Sequence, residues 1–355
     1  MDIGLMMDCD YQEGQTQHDA FNAALQMATH VETLGFDCIW LAERHFSRLG
    51  GAALLPSVGS APLLMATAIA ARTSHIRIGT AVLLLPLGHP VRLAEEVATL
   101  DHLCQGRLNL GIGRSSFPRS YEGYNIPYEE SRDRFQEYLG IMQLAWTQPR
   151  FSYHGAFYQC TDLEVMPHPY QQPHPPLHYA ASTRETFISI GALGLPLLVA
   201  LIGTSVSELA EMITAYREAW KAAGHAGRGE VRLRLPIYLA DTQAQAEADP
   251  CASVMPYYHR LRQGYLSSQQ GYESAARTSR AEQLASLTYD DVLRERVVFG
   301  APQNVITRLN ALHQTIELSG IIIEPNVGGG LPPERVASSM LLFAQEVVPH
   351  LRTLI

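Results

Sequence analysis

The chain has 355 residues, of which 46% are hydrophobic and 17% charged, and its formal net charge is −9. This balance supports a sizeable buried core and argues against long disordered segments. The net charge is acidic and the Lys and Arg residues are scattered along the sequence, so no basic cluster indicates binding of nucleic acid or anionic lipid. Neither is expected as a partner.

The sequence also lacks the signals of export and of metal binding. Its start has no basic segment followed by an apolar stretch, and its apolar runs are broken by glycine or proline, so a cytoplasmic protein is expected. Five widely spaced cysteines without a Cys-x-x-Cys pair predict reduced thiols and no zinc site. The prolines at 175 and 176 prevent His174 and His178 from sharing one helix face, so no metal is expected there either.

Short apolar strands alternate with amphipathic helices along the chain, which is the pattern of a parallel sheet with helical crossovers. The first helix is predicted to end at Gly35, and another begins at Pro90 and is expected to keep Asp101 on its exposed face. Eight strands are predicted, at Ile3–Met7, Asp37–Leu41, Ile76–Val82, Leu108–Gly111, Leu177–Ala181, Leu197–Leu201, Arg232–Leu239 and Gly320–Glu324. Eight units of this kind predict a single (β/α)₈ TIM barrel over residues 1–355.

Two stretches interrupt the alternation. Residues 151–175 combine β-prone segments with a proline-rich run, which predicts a hairpin insertion before the fifth barrel strand. Residues 249–294 are too long for an ordinary loop, and we interpret them as a mobile lid region. Tyr257 and Tyr258 in this region are candidates for closing over a substrate, although ordinary surface residues would give the same pattern.

Polar residues just past the strand ends are the candidates for an active site, because a (β/α)₈ barrel builds its site there. The second strand runs into Glu43, Arg44 and His45, which are a carboxylate, a cation and a titratable imidazole. The fifth strand runs into residues 181–183, a hydroxyl-rich helix start whose free N–H groups favour an anion such as a phosphate. Arg114, after the fourth strand, would add a charge-assisted hydrogen bond to the same phosphate.

Each of these residues also has a structural explanation that the sequence leaves open. Ser182 or Thr183 fits an ordinary helix N-cap, and Arg114 fits a structural ion pair. His45 fits a structural histidine with satisfied hydrogen bonds.

A dinucleotide site is not predicted. Gly111-Ile112-Gly113 begins like a dinucleotide-binding turn, but Ser116 stands at the third glycine position and Pro118 interrupts the helix that should follow. Reducing equivalents for a redox reaction would therefore arrive on a flavin that is reduced elsewhere.

Segments spread over nearly the whole chain resemble the bacterial luciferase-like flavin monooxygenases. They are residues 35–46, 79–92, 94–97, 100–101, 106–114, 175–176, 181–186 and 300–302, together with the C-terminal helix from Ser338 to Pro349. The resemblance implies the barrel already predicted, a bound FMN and a homodimer built on early helices.

The resemblance also implies roles for individual residues. It places a non-proline cis peptide at Ala81–Val82 against the flavin ring, and His89 near the flavin. Arg114, Ser182, Thr183 and Thr186 map onto positions that contact the phosphate. The implied cofactor-binding set is Ala81, Val82, Gly113, Arg114, Ala181, Ser182, Thr183 and Thr186, and the catalytic candidates are Glu43, Arg44, His45 and His89.

One departure from the family concerns the catalytic base. Many members read Glu-His-His-Phe after the second strand and use the first histidine as the base, whereas this chain has Arg44 there. An arginine is not deprotonated in a protein, so the base is His45 or His89, or the role is not used. Arg44 would instead stabilise a flavin hydroperoxide anion or bind an anionic substrate group. Gly113 stands where luciferase has a cysteine, which argues against light emission.

The chemistry implied is that of a two-component monooxygenase, which uses FMNH₂ to activate O₂ as a flavin C4a-hydroperoxide and transfers one oxygen atom to an organic substrate. Baeyer–Villiger oxidation or hydroxylation of a small-molecule or carrier-bound substrate is expected, with a separate flavin reductase as partner. Two alternatives stay open. One is an F420-dependent dehydrogenase or reductase on the same fold, and the other is a non-catalytic flavin-binding protein.

Overall fold

A computed structural model describes residues 1–11, 14–46, 57–201, 204–266 and 275–354. Twelve strands lie in these ranges: β1 (Asp2–Met7), β2 (Cys38–Leu41), β3 (Arg77–Thr80), β4 (Leu83–Leu84), β5 (Leu108–Gly113), β6 (Phe151–His154), β7 (Gln159–Leu163), β8 (Leu177–Ala180), β9 (Leu197–Ala200), β10 (Val231–Leu239), β11 (Val298–Gly300) and β12 (Gly320–Glu324).

The α-helices of the same ranges surround the strands. They are α1 (Gln17–Thr33), α2 (Pro62–Ala70), α3 (Pro90–Leu103), α4 (Pro118–Gly123), α5 (Ser131–Thr147), α6 (Arg184–Leu193), α7 (Val206–Ala222), α8 (Gln243–Ala248), α9 (Cys251–Leu266), α10 (Ala275–Ala285), α11 (Tyr289–Glu295), α12 (Pro302–Ile316), α13 (Pro333–Leu342) and α14 (Val348–Arg352). None of the helices so described is long and apolar enough to cross a membrane.

Eight parallel strands form a closed barrel, which confirms the predicted fold. Their order is β1, β2, β3, β5, β8, β9, β10 and β12, and β12 pairs with β1 to complete the ring. β4 and β11 extend the sheet beside β5 and β10. The third strand was predicted to run without a break to Val82, but β3 ends at Thr80. The interruption falls at Ala81–Val82, where the peptide bond is cis.

Helix ends follow the sequence signals, with one correction. α1 begins after Thr16, whose hydroxyl caps the helix, and is followed by Gly35 at a φ of +78°. α3 begins at Pro90 as predicted. Asp101 is not on an exposed face but fully buried, because its carboxylate accepts hydrogen bonds from the backbone N–H and the side chain of Gln171.

The two interruptions differ in kind. The stretch predicted as a hairpin insertion contains β6 and β7, which pair antiparallel. The stretch of 249–294 is not a loop in its described part, because it holds the helices α9 and α10 and most of α11, while residues 267–274 lie outside the described ranges. Tyr257 and Tyr258 are buried on α9, at 4% and 2% exposure, so they are core residues and do not close over a cavity.

Side chains fill the barrel interior, which limits where a site can lie. Buried side chains from several strands, among them Met6, Trp40 and Ile322, pack together inside the ring. His178 lies in the same interior edge-on to Trp40, and Arg232 Nη1 lies 3.4 Å from His178 Nδ1. The filled interior leaves the carboxyl ends of the strands as the place where the barrel can bind a ligand.

Candidate functional site

A cavity of about 1110 Å³ opens at the carboxyl ends of the barrel strands. Ten of the twelve residues predicted for the site line it: Glu43, Arg44, His45, Ala81, Val82, Arg114, Ala181, Ser182, Thr183 and Thr186. The volume exceeds the range of roughly 300–1,000 Å³ that is typical of a site for one small molecule. The cavity therefore has room for a cofactor and a substrate together.

One side of the cavity has the features of an anion site. Thr183 is the N-cap residue of α6, and no side-chain capping bond to this helix is found among the described residues. The Oγ1 atoms of Thr183 and Thr186 lie 3.0 Å apart, so two hydroxyls meet at the helix start. Because the backbone N–H groups of a first turn and the helix dipole attract anions, this end of α6 suits a phosphate.

Arginines surround the same side. Arg114 is held by a 2.7 Å hydrogen bond from its Nη1 to Ser131 Oγ, and its guanidinium lies 5.8 Å from the ring centre of Tyr128. Arg132 adds a second, exposed guanidinium to the cavity wall. Glu185 contributes one opposing charge at the rim, and its pKa is lowered by hydrogen bonds to its own backbone N–H and to Thr183. The balance of charge is positive, which is what a phosphate requires.

A further arginine links α10 to the helix start. Arg280 donates a hydrogen bond through Nη2 to the backbone carbonyl of Ser182. The two residues are 98 positions apart in the chain, and no local sequence pattern indicates that they meet. The described part of the 249–294 region thus contacts the predicted phosphate turn directly.

Gly113 lies close to Val82, which is part of the cis peptide bond Ala81–Val82. A Cβ atom at Gly113 would lie 2.5 Å from Val82 Cγ2, which is closer than real Cβ contacts. Gly113 is absent from the cavity wall formed by the described residues, whereas Ala81 and Val82 line it. The prediction that Gly113 contacts the cofactor is therefore modified, because the glycine makes space for Val82 instead.

Glu43 and His45 form a hydrogen-bonded pair in the cavity wall. Glu43 Oε1 lies 2.7 Å from His45 Nε2, and Glu43 Oε2 accepts a 2.8 Å hydrogen bond from the backbone N–H of Leu84. The Nδ1 atom of His45 lies 3.2 Å from the hydroxyl of Tyr124. The pair can hold or transfer a proton at the cavity surface.

Arg44 is engaged in a buried ion-pair network. Its Nε and Nη2 atoms donate to Asp8 Oδ1 at 3.0 and 2.8 Å. Arg234 donates to Asp8 Oδ2 at 2.6 Å and to Glu324 Oε2 at 2.9 Å. Two guanidinium groups therefore face two carboxylates.

Asp10 lies next to this network and decides its net charge. Burial, together with the charge of Asp8, raises the pKa of Asp10 to about 7. Because the two arginines are already balanced, the network is neutral or, with Asp10 ionised, negative. The geometry does not favour the predicted role of Arg44 in binding an anionic substrate group.

His89 does not reach the cavity. It is exposed at the N-cap of α3, edge-on to Tyr158 at a ring separation of 5.8 Å, and it is not among the described residues that line the cavity. Of the two candidates for the base, only His45 lies at the site. The physical reason is the turn at Leu85–Leu87, after which the chain leaves the barrel mouth.

Sequence reasoning missed Tyr124, Asp8 and Arg234. Asp8 directly follows β1, and the rule of strand ends could have found it. Arg234 is one of two arginines within a strand whose other residues are buried, which is a signal for an ion pair. Tyr124 carries no such signal. Within the described ranges no group of three or more His, Cys, Asp or Glu residues could hold a metal ion.

Comparison with known proteins agrees with this architecture. The family model of the luciferase-like monooxygenases matches residues 1–316. The oxygenase component of a flavin-dependent trigonelline monooxygenase from Acinetobacter baylyi is 24% identical over 84% of this chain and 81% of its own length. An alkanal monooxygenase alpha chain from Photorhabdus luminescens is 24% identical over 96% of this chain and 95% of its own length.

Solved structures share the fold. The oxygenating constituent of 3,6-diketocamphane monooxygenase from Pseudomonas putida, a type II Baeyer–Villiger enzyme in complex with FMN, superposes with a TM-score of 0.81 at 19% identity over 99% of this chain and 98% of that chain. An F420-dependent secondary alcohol dehydrogenase superposes with a TM-score of 0.76 at 14% identity over 99% of both chains. The family match over most of its length identifies this chain as an enzyme of the luciferase-like, flavin-dependent monooxygenase family.

Proposed function

We propose that this chain is the oxygenating component of a two-component monooxygenase that takes reduced FMN from a separate flavin reductase. One atom of O₂ enters an organic substrate and the other leaves as water, while reduced FMN becomes FMN. The observation that carries this proposal is that a phosphate-type site and a proton-handling pair line the same large cavity.

The residues present fit FMN. A dianionic phosphate suits Arg114, the hydroxyls of Thr183 and Thr186, and the N-terminus of α6. The flat ring of a flavin suits the surface formed by Ala81 and Val82, for which the missing Cβ of Gly113 makes room. Bound reduced FMN would supply two electrons and the point at which O₂ is activated.

The residues of the chain would bind the FMN phosphate, orient the flavin ring and supply a proton to the cavity. Arg114 and the start of α6 would fix the phosphate, so that the ring is held at one depth in the cavity. His45 would hold a proton at Nε2 against Glu43 Oε1 and make it available to the cavity. The aromatic and apolar wall residues Phe46, Phe117 and Leu84 would exclude water from the reacting groups.

Two reaction types are proposed for the oxygen transfer, namely Baeyer–Villiger oxidation of a carbonyl and hydroxylation. The name of one similar protein, a type II Baeyer–Villiger monooxygenase, supports the first reaction type, and the name of another, a trigonelline monooxygenase, supports transfer of one oxygen atom in general. The charge-balanced Arg44 network favours a substrate without a negative charge at that wall.

A homodimer is also proposed. Leu64 on α2 is 75% exposed, and Leu103 at the end of α3 is 60% exposed. Apolar side chains on early helices would be covered in a dimer. Light scattering after size exclusion should give twice the mass of the chain, and Leu64→Arg should give monomers. A wild-type chain that elutes as a monomer would contradict the dimer.

The cofactor proposal is tested by binding and by isotope incorporation. Anaerobic titration should show that the purified chain binds reduced FMN more tightly than oxidised FMN or F420. With ¹⁸O₂ and photoreduced FMN, one ¹⁸O atom should enter a member of a panel of cyclic ketones and aromatic compounds. Preferred binding of F420, with F420-coupled reduction or oxidation and no ¹⁸O in any product, would overturn the proposal in favour of a dehydrogenase or reductase. Tight FMN binding without turnover of any compound would favour a flavin-binding protein.

Substitution of Arg114 tests the phosphate site. Arg114→Ala should weaken binding of reduced FMN by about 10- to 100-fold, because a charge-assisted hydrogen bond contributes about 1.5–3 kcal/mol. Arg150→Ala is the control, since Arg150 pairs only with exposed carboxylates on the β6–β7 hairpin in the described structure. Equal affinities of the two variants would place the phosphate elsewhere. Arg114→Lys separates loss of the charge from loss of the hydrogen bond to Ser131.

A further inference from the structure

The contacts of His45 extend beyond Glu43 toward the protein surface. His45 has a side chain that is only 7% exposed, and its two ring nitrogens face different partners. Nε2 faces Glu43 Oε1 at 2.7 Å, and Nδ1 faces the Tyr124 hydroxyl at 3.2 Å. The three side chains therefore form one hydrogen-bonded row.

The chemistry of the partners fixes the direction of each hydrogen bond. An ionised carboxylate only accepts, so Nε2 of His45 carries the proton that points to Glu43. A neutral imidazole has a single N–H, and Nδ1 is then the acceptor, to which the Tyr124 O–H donates. Burial and the charge of Glu43 raise the pKa of Tyr124, which keeps this hydroxyl protonated.

Both hydrogen bonds therefore run in the same direction, from the Tyr124 hydroxyl to His45 and from His45 to Glu43. Tyr124 is 45% exposed and reaches the solvent, whereas Glu43 lines the cavity.

The aromatic side chains around His45 and Tyr124 hold this arrangement. The rings of His45 and Tyr124 meet edge to face at 5.0 Å, and Phe46 packs on both. Gly123 leaves space for Phe46, since a Cβ there would lie 2.0 Å from its ring.

We propose that Tyr124 is a positioning residue that fixes the Nε2–H tautomer of His45 and connects it to solvent, so that Tyr124, His45 and Glu43 deliver a proton into the cavity. The Tyr124 O–H bond breaks as an N–H bond forms at Nδ1. The Nε2–H bond breaks as an O–H bond forms on Glu43, which passes this proton to an acceptor in the cavity. A water proton then restores the Tyr124 hydroxyl, and rotation of the His45 ring turns its single N–H back toward Glu43, which restores the resting arrangement. No electrons move, and one proton enters for each proton delivered.

This inference rests on the proposed monooxygenase function, but its first test does not need the flavin. In the flavin-free protein, ¹⁵N NMR of labelled histidine should show His45 as the Nε2–H tautomer with Nδ1 as a hydrogen-bond acceptor. Tyr124→Phe keeps the ring and removes the hydroxyl, so the Nδ1 signal should move to the position of a free acceptor. A wild-type Nδ1–H tautomer, or a His45 signal unchanged in Tyr124→Phe, would overturn the proposal.

Tyr170→Phe is the matched control. Tyr170 is 55% exposed and also meets a histidine edge to face, His102 at 5.6 Å, outside the cavity. Its substitution should leave the His45 signals and turnover unchanged. A change in the His45 signals of Tyr170→Phe as large as that in Tyr124→Phe would show that the effect is not specific to the row, and would overturn the assignment.

The second test measures proton delivery. In the FMN-loaded protein, Tyr124→Phe should slow the proton-dependent phase of turnover by at least about tenfold, and small acids in the buffer should restore part of the rate. Binding of reduced FMN should stay the same, since Tyr124 is outside the phosphate site. A slower variant that no acid rescues would assign Tyr124 a packing role and contradict the relay. Loss of FMN binding in wild type would instead contradict the proposed function and leave the NMR result standing.

Discussion

Arg44 directs two donor atoms at a single carboxylate oxygen of Asp8. The side chains are only 17% and 7% exposed, so the ion pair lies largely out of water. The other oxygen of Asp8 is used by Arg234. Asp8 therefore holds two arginines beside the cavity, and its charge is needed to keep both of them there.

Loss of that charge should be costly. Asp8→Asn leaves two guanidinium groups with one carboxylate, and breaking a buried pair costs about 3–5 kcal/mol. We expect urea denaturation to show a loss of about 3 kcal/mol in the free energy of unfolding. The control is Asp162→Asn, which removes an exposed partner of Arg150 and should cost less than about 1 kcal/mol. Equal losses in the two variants would show that the network is solvated.

Asp10 should make the protein less stable at alkaline pH. Its folded pKa of about 7 lies above the ordinary value of 3.8, so its favourable contribution is present below pH 3.8 and is lost as the pH rises through 7. Its Oδ1 atom is buried without a hydrogen-bond partner among the described residues. Asp10→Asn stays neutral and should be more stable than wild type at pH 8, by about 2–4 kcal/mol.

At pH 4 the wild-type Asp10 is itself protonated in the folded state, so the advantage of Asp10→Asn should disappear. Urea unfolding at pH 4 and at pH 8 checks this. A constant difference between the two proteins at both values would show that Asp10 does not titrate in the folded state.

His178 should have the opposite effect at acidic pH. Burial, followed by the charges of Arg232 and Arg77, lowers the pKa of His178 from 6.5 to about 3. Between these two pH values His178 binds a proton in the unfolded chain but not in the folded chain. The free energy of unfolding therefore decreases as the pH falls from 6.5 toward 3. His178→Phe should remove about 1.4 kcal/mol of this loss per pH unit.

The measurement is unfolding free energy against pH between 6.5 and 4.5. Relative to wild type, His178→Phe should give a flatter profile, whereas His75→Gln should not, because the His75 side chain is 79% exposed. Parallel profiles for wild type and His178→Phe would contradict the buried neutral histidine.

Gly113 should not tolerate a methyl group. The new Cβ would meet Val82 Cγ2 at 2.5 Å, so Gly113→Ala should push Val82 and cost about 1–3 kcal/mol. Binding of reduced FMN should weaken as well, because Val82 lines the cavity. Gly140→Ala on α5 is the control, since its Cβ would make only an ordinary 3.9 Å contact with Tyr153. Calorimetry and FMN titration of both variants test this, and an unaffected Gly113→Ala would mean that Val82 can move freely.

The sequence was sufficient for features that short-range patterns encode. The eight strands follow from apolar runs between helix signals. The meeting of the Thr183 and Thr186 hydroxyls follows from the hydroxyl-rich start of α6, and binding of a phosphate there stays a prediction. Resemblance added the position of the cis peptide at Ala81–Val82, which the structure contains.

What could not be predicted depends on contacts between distant residues. Asp101 was predicted to be exposed because it lies on the polar face of its helix. In the structure the backbone N–H of Gln171, 70 positions later, donates a hydrogen bond to its carboxylate. Tyr124 meets His45 across 79 positions, and no periodicity or capping signal marks such a pair. The resemblance implied that His89 lies near the flavin, whereas His89 follows the turn at Leu85–Leu87 and is not among the described residues that line the cavity. Local rules cannot supply these results because each depends on how the barrel closes.

The barrel closes by pairing β1 with β12, with Asp2 opposite Gly320. During synthesis on the ribosome, β1 leaves the exit tunnel long before its neighbour exists, and domains of this kind are made at about 5–20 residues per second. Until β12 is made, β1 presents an unpaired edge, as does β10 once it has been synthesised, and such edges pair with other chains. Nascent chains that stop before β12 are therefore expected to require chaperones, which would make the yield of this protein depend on the growth temperature of the host.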